Sequence, residues 1–293
     1  MRSKSPPDAA FLNAFASHVL DLDDVYNLPG TTVHGSCSVW PAILAIADDR
    51  PVSGRDALAS FALGFEVQTR VAHAAGLRIM PGSDLKSMHP GKAAMDGVLA
   101  ATLVEHRRTA SAKALEGDFG YLAVMSSAPA PEKINAGLGE SWNITSNGHK
   151  LYPSGSLTHP MVDGVIALVT ENDLASSDVT VIDVRVSPPA ARFTDLPRPA
   201  TPEQTKFNLR HCAAAAVVFR RLGTEELSSE VRGNRGTPSA PLGDDELGVK
   251  FRERVGLVLG TERAERLLAT CWRVDEHLDL SVPLEQTVAT ADG

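Results

Sequence analysis

The sequence is poor in the residues that build covalent or metal scaffolds. It holds three cysteines, Cys37, Cys212 and Cys271, odd in number and without a CxxC pair. That argues against a disulfide framework and against a zinc or iron–sulfur cage, and leaves reduced, mostly buried thiols as the reading. No run of about 18 apolar residues is present, and the basic start MRSKSPPDAA leads into no apolar stretch. Neither a membrane span nor a signal peptide is expected, and the expected compartment is the cytoplasm. Positive charge is also short: 28 Lys and Arg stand against 36 Asp and Glu, a formal charge of −8. Nucleic acid and anionic membranes are therefore not expected as partners. The chain has no GxGxxG after a strand, no GxxxxGK[ST], no HExxH and no GxSxG, so nucleotide, zinc-protease and serine-hydrolase chemistries lack support.

What is there suits a packed, mainly helical protein. The chain has 293 residues, of which 43% are apolar, enough for one large domain or two modest ones. Apolar residues at helical spacing predict a helix over Asp8 to Leu22, running into the acidic stretch Asp21 to Asp24. Ser36 or Ser38 is placed to cap a second helix, Val39 to Ala47, with Pro41 in its first turn. Ser53 opens a third helix that Gly76 ends. Pro90 begins a fourth, Gly91 to His106, and a short helix follows at Ser111 to Leu115.

From about Lys133 the texture changes. Trp142 to Ile144 and His149 to Tyr152 read as short strands around a turn at Ser146 to Gly148. A helix follows at Pro160 to Thr170. Val179 to Val186 (VTVIDVRV) alternates, is rich in β-branched residues and is the clearest strand. Glu203 to Leu222 reads as a helix. Gly233 to Gly243 is a Gly/Pro/Ser linker, and Asp244 to Leu259 and Thr261 to Leu278 are amphipathic helices. Two helices alone cannot bury their apolar faces, so these are expected to return to the first domain. The expected fold is mainly α with an α+β part. Its divisions are a helical domain over residues 1–132, an α+β lid over 133–232, and a linker with a return to the helical domain over 233–293.

Three histidines sit just before helix starts: His34, His89 (before Pro90) and His159 (before Pro160, with Thr158 beside it). Proline favours the first helical turn, so the imidazoles stand near unpaired backbone N–H groups that attract anions. Lys86 adds a full charge in the loop of His89. A polycarboxylate calls for fixed donors, cations and a titratable group, and histidine moves a proton readily near pH 7. A His-Pro at a helix start also has a purely structural reading. The run Asp21 to Asp24 is read first as a solvated helix end, and alternatively as a partner for His34 or Lys86.

At these residues the chain resembles the MmgE/PrpD family, which includes 2-methylcitrate dehydratase and cis-aconitate decarboxylase. Ala16 to Asp24 (ASHVLDLDD) is similar to the family's acidic motif, His34 to Ala47 to its histidine loop and apolar helix, and Leu85 to Ala94 (LKSMHPGKAA) to its K-x-[LM]-H-P-G-[RK]-A-A motif. Leu151 to Val162 (LYPSGSLTHPMV) resembles its K-x-Y-P-x-x-x-x-T-H-P segment. Shorter matches continue in order at Val184 to Pro189, Lys206 to Ala215 and Pro241 to Glu253.

The resemblance implies a helical domain made from both chain ends with an inserted lid. It also implies a cofactor-free, metal-free lyase acting on a citrate-like tricarboxylic acid, usually a homodimer. Carried over residue by residue, the site maps to Asp21, His34, Lys86 and His159, with Lys86, Asp24, His89 and Thr158 as substrate-binding candidates. Lys86 is expected to hold a carboxylate, Asp21 to orient a histidine, and His34 and His159 to serve as base and acid in an order left open. Dehydration is the leading reaction and cis-aconitate-type decarboxylation the alternative. A third reading is a non-catalytic relative that binds an acid or partners an intact paralogue. The chain also departs from the family. A segment carrying a further active-site histidine should fall between Gly76 and Met80, and lid strands should follow Arg221; both are missing.

Overall fold

The computed structural model describes residues 5–28, 30–76, 84–195, 202–223, 243–277 and 279–287. Helix α1 (Pro6–His18) leads through a turn into β1 (Asp24–Leu28) and β2 (Thr31–Val33). Then come α2 (Ser36–Asp49), α3 (Gly54–Ala75), a 3-10 turn at Asp84–Ser87 and α4 (Met88–Glu105). Short helices α5 (Tyr121–Met125) and α6 (Glu132–Asn135) precede β3 (Gly148–His149) and α7 (His159–Glu171). After α8 (Pro188–Thr194) and α9 (Pro202–Thr205) the chain forms α10 (Leu209–Phe219), α11 (Asp244–Leu259), α12 (Thr261–Cys271) and α13 (Ser281–Gln286). The fold is mainly helical, with one three-stranded antiparallel sheet in the order β2-β1-β3 among the described residues.

Small residues set the first packing unit. Ala10 and Ala14 of α1, Ala45 of α2, and Ala94 and Val98 of α4 form one buried cluster. Short side chains let three helices approach closely. Helix α3 runs its expected course: the Ser53 hydroxyl accepts from the Asp56 N–H, and Gly76 ends the helix at φ 66°, a left-handed conformation glycine adopts without a Cβ penalty. The β1–β2 hairpin lies on α3 through Tyr26, Val33, Phe65 and Ala72. The segment around Leu280 packs on α2 and α3. Leu280 is buried with Ala47 and Ala57, its N–H donates to the Val52 carbonyl, and the Gly54 N–H donates to the His277 carbonyl. A second core forms between α7 and α10 around Tyr152, Met161, Val162, Leu209 and Cys212.

Several local expectations are corrected. Helix α1 stops at His18, not Leu22, because Asp21 turns the chain with φ 51°. The first turn of α2 is bound by Asp24 from outside, and the Ser36 and Ser38 side chains make no cap bond; Pro41 lies inside that helix. Helix α4 starts before His89 and Pro90. The expected helix at Ser111 to Leu115 is a series of turns, and Trp142 to Ile144 runs into a 3-10 turn. The helix expected from Glu203 to Leu222 is broken at Lys206 to Asn208, where the Asn208 side chain caps α10. Helix α11 has the expected bounds, but α12 ends at Cys271 and is followed by a 3-10 turn at Val274–Glu276.

The clearest expected strand, Val179 to Val186, joins no sheet. Alternation supplies an apolar face, but a strand also needs a neighbour for its N–H and C=O groups. Most of the expected linker, and the segment after Gly76, lie outside the described residues. No helix among the described residues is long and apolar enough to cross a membrane.

Candidate active site

The turn after α1 gathers the chemistry. Asp21, Asp23 and Asp24 are not a solvated helix end: Asp21 is 2% exposed and Asp24 3%. The Asp21 carboxylate is held by two ammonium groups, Lys86 from the 3-10 turn before α4 and Lys150, whose Nζ lies 2.7 Å away. Lys150 also donates to the Asp21 carbonyl at 3.0 Å. Its place is fixed by the sheet: Asp24 pairs with His149, and the Lys150 N–H donates to the Asp23 carbonyl. Asp23 takes the other side. Its carboxylate meets His18 Nδ1 at 2.9 Å and lies 3.4 Å from His34 Nδ1. His18 Nε2 in turn faces Lys86 Nζ at 2.8 Å. The His18 and His34 rings are tilted together, with centroids 4.7 Å apart.

The charges are strongly biased by this setting. Burial works against ionised Asp21, but Lys150 and then Lys86 hold it well below the usual carboxylate range. Burial also opposes ionised Asp23, which His34 and then His18 hold low. Asp24 goes the other way: burial and the Asp23 charge push it up, and its bonds from Asn147 and Ser36 offset only part of this. His34 is driven down to about 3 by burial, against the pull of Asp23. His159 is also driven down to about 3, by burial and then by Lys150. Both are neutral imidazoles at pH 7, each with a lone pair to accept a proton. Burial lowers Lys86, while Asp21 draws it back up. Lys250 of α11 is pushed down to about 8 by burial, and it feels Asp23 and Asp24.

The expected residues therefore divide. Asp21, His34 and Lys86 meet in one buried cluster, and His159 lies within electrostatic reach of Lys150 and Asp21. His159 is the first residue of α7. Its Nε2 faces the Ser154 carbonyl at 3.3 Å, and its ring meets Tyr152 edge-on. Asp21 holds Lys86 and Lys150 closely and lies 4.0 Å from His18 Nε2, whereas Asp23 makes the short contact to His18 at 2.9 Å. The Asp24 carboxylate accepts from the Ser36 N–H and from Asn147 Nδ2, so it fastens α2 to the 143–149 turn. Thr158 bonds to the Gly155 carbonyl and Ser154 Oγ within its own turn. His89 is exposed on α4 and is not brought to the cluster. The helix starts are thus less open than their sequence suggests: the positive charge comes mainly from two lysines.

Two members of the cluster escaped the sequence reading. His18 stands inside ASHVLDLDD, and Lys150 stands one residue before the segment Leu151 to Val162, at the lysine of the K-x-Y-P pattern; Asp23 enters that reading only as part of the acidic run. His18, Asp21, Asp23 and His34 offer one ligand atom each within 4.8 Å of one another. Such a set could accept a divalent ion, but Lys86 and Lys150 already neutralise Asp21. Adding a dication beside two ammonium groups is costly at low dielectric. The arrangement suits proton exchange and carboxylate binding better.

A helical protein with a buried Asp/His/Lys centre, gathered from the end of α1, the β1–β2 hairpin, the turn before α4 and the residue after β3, is the class this geometry defines. The chain belongs to the MmgE/PrpD family: residues 2–81 match the MmgE/PrpD N-terminal domain and residues 152–232 the MmgE/PrpD C-terminal domain. Among curated proteins it is similar to human (Homo sapiens) cis-aconitate decarboxylase, 24% identical over 272 residues, covering 73% of this chain and 55% of that protein. It is also similar to the mouse (Mus musculus) cis-aconitate decarboxylase, 40% identical over 72 residues, covering 23% of this chain and 14% of that one. The chain spans about half the length of the human relative.

Proposed function

We propose that this chain is a cofactor-independent lyase acting on a citrate-like tricarboxylic acid such as 2-methylcitrate. The observation that carries the reading is Lys86, buried between His18 Nε2 and the Asp21 carboxylate. It is a proton donor whose acidity is raised by burial, in the same buried cluster as the neutral imidazole of His34, while His159 is a second neutral imidazole within electrostatic reach of Asp21. In dehydration, His34 or His159 removes the proton on the carbon beside a carboxylate. The electron pair forms the C=C bond, and the C–O bond breaks as Lys86 protonates the departing hydroxyl, which leaves as water. Lys150 and Lys250 supply charge for the remaining carboxylates. A polyanionic substrate would itself raise the histidines toward neutral pH, because a nearby negative charge favours imidazolium.

Decarboxylation is the second reading, favoured by the curated relatives. There the bond to one carboxylate carbon breaks, CO₂ leaves, and Lys86 protonates the remaining carbanion. Incubation of the purified protein with 2-methylcitrate, citrate and cis-aconitate, followed by NMR, separates these outcomes. Loss of a hydroxyl signal supports dehydration, and loss of a carboxylate carbon supports decarboxylation. Binding without turnover by folded protein, alone and with any paralogue, would sink the enzyme reading in favour of an acid-binding or dimerisation partner.

A further inference from the structure

A cavity of about 710 Å³ lies between α11, α7 and the segment that follows α10. Among the described residues its apolar walls are Leu22, Leu151, Ile166 and Leu222, with Val249 and Leu257 of α11. Leu22 follows Asp21 in sequence and Leu151 follows Lys150, so two segments that build the buried centre also wall this cavity. Tyr152 lines it too, and the Tyr152 ring meets His159 edge-on. Two cations of α11 line the same space. Lys250 and Arg254, four residues apart, share one face of the helix, as residues at this spacing do. Lys250 is within electrostatic reach of Asp23, Asp24 and His159. Arg254 reaches across to the end of the α10 segment, where a Cβ on Gly223 would lie 3.7 Å from its Nη2.

The pair has no anion of its own. Among the described residues neither Lys250 nor Arg254 makes a hydrogen bond or an ion pair, and Arg254 Nε is buried without an acceptor. The acids at the cavity do not neutralise it: Glu246 accepts from the Gly243 N–H, and Asp245 and Glu253 are exposed. Arg220, the cation at the other rim, is paired with Asp173. A buried donor without an acceptor is costly, and a carboxylate bridging an ammonium and a guanidinium satisfies both with charge-assisted hydrogen bonds. The rest of the space is apolar. Its volume falls in the range of roughly 300–1,000 Å³ that takes drug-sized ligands, which is far more than citrate or a methyl branch fills. Charge and shape together describe an acid with a long apolar arm.

We propose that this cavity selects a citrate-like acid bearing an alkyl chain longer than methyl, with one carboxylate between Lys250 and Arg254 and the chain along Leu151, Ile166 and Leu257. The proposal rests on the lyase reading above and narrows its substrate.

The test is isothermal titration calorimetry of the full chain with citrate, 2-methylcitrate and 2-hexylcitrate. Affinity should rise with chain length, about three- to fourfold for each methylene buried, and the heat-capacity change should grow more negative. Arg254→Gln should weaken all three acids about tenfold or more, because a hydrogen bond to a charged group is lost. Val249→Trp, at an exposed position of α11, narrows the cavity and should flatten the dependence on chain length. Circular dichroism checks that both variants fold. Equal affinity for citrate and 2-hexylcitrate overturns the proposal, and so does a chain-length preference that neither variant alters. Turnover, followed by NMR with the same acids, judges the lyase reading separately. Turnover without a chain-length preference keeps the lyase and overturns the cavity's role. Chain-length-dependent binding that both variants weaken, without turnover, supports the cavity's selectivity and refutes the lyase.

Discussion

His18 Nε2 lies 2.8 Å from Lys86 Nζ, although 68 residues separate them in sequence. On its other side His18 is held by Asp23, and Lys86 also contacts Asp21. The chain Asp23–His18–Lys86–Asp21 is therefore one buried hydrogen-bonded unit, and changes in it should not act independently.

Lys86→Ala removes the proposed donor and should lower turnover of the active substrate by about 10²- to 10⁴-fold, the usual size of a general-acid contribution. His18→Asn should also slow turnover and shift the limb of the pH–rate profile that reports Lys86, because one partner of the ammonium is lost. An unchanged rate in Lys86→Ala would refute the proton-donor assignment.

Asp21→Asn leaves Lys86 and Lys150 buried without their carboxylate. Breaking one side of a buried ion pair typically costs about 3–5 kcal/mol. Urea denaturation should show a loss of that order, with partial recovery when Lys150→Met is added, since one of the stranded charges is then gone.

Stability should fall as pH drops below about 6.5. His34 and His159 have folded values near 3, so between 6.5 and 3 the unfolded chain binds more protons and acid favours unfolding. The slope is about 1.4 kcal/mol per pH unit for each histidine. Asp21 and Asp23 are depressed below 3.8; their contribution is present above that value and is lost below it. Asp24 is raised and offsets part of this. Melting temperatures at pH 7, 6 and 5 check the sign, and imidazole NMR shifts that stay neutral down to pH 5 check the two histidines.

Arg70 ties a long loop to α3. It pairs with Glu66 and donates to the carbonyls of Ile134, Ala136 and Ser141, while Glu66 accepts from the Asn143 N–H. Arg70→Met strands the buried Glu66 and leaves the carbonyls of Ile134, Ala136 and Ser141 without this donor. It should cost about 3–5 kcal/mol and make the 134–143 loop newly sensitive to limited proteolysis. A stable, protease-resistant variant would contradict this anchoring role.

Local chemistry made some features readable without coordinates. Ser53 and Gly76 bracket α3 because a hydroxyl cap and a left-handed glycine act within a few residues, and α11 follows from its own apolar spacing. Asp21, His34 and Lys86 are picked out through resemblance to three family motifs, and the structure brings them into one buried cluster. The strand expected at Val179 to Val186 shows where such reading stops: its side-chain pattern is local, but its hydrogen-bond partner has to come from elsewhere.

The sequence by itself determined a mainly helical chain, its principal helices and the neighbourhood of its reactive residues. Only the tertiary structure decided that the acidic run is buried, that Asp21 serves Lys86 and Lys150 while Asp23 serves His18 and His34, and that His89 is left in solvent. The reason is physical. Capping and periodicity act over one or two helical turns, whereas burial and charge pairing depend on which distant segment packs alongside, and α1, α4 and β3 meet only when the chain folds.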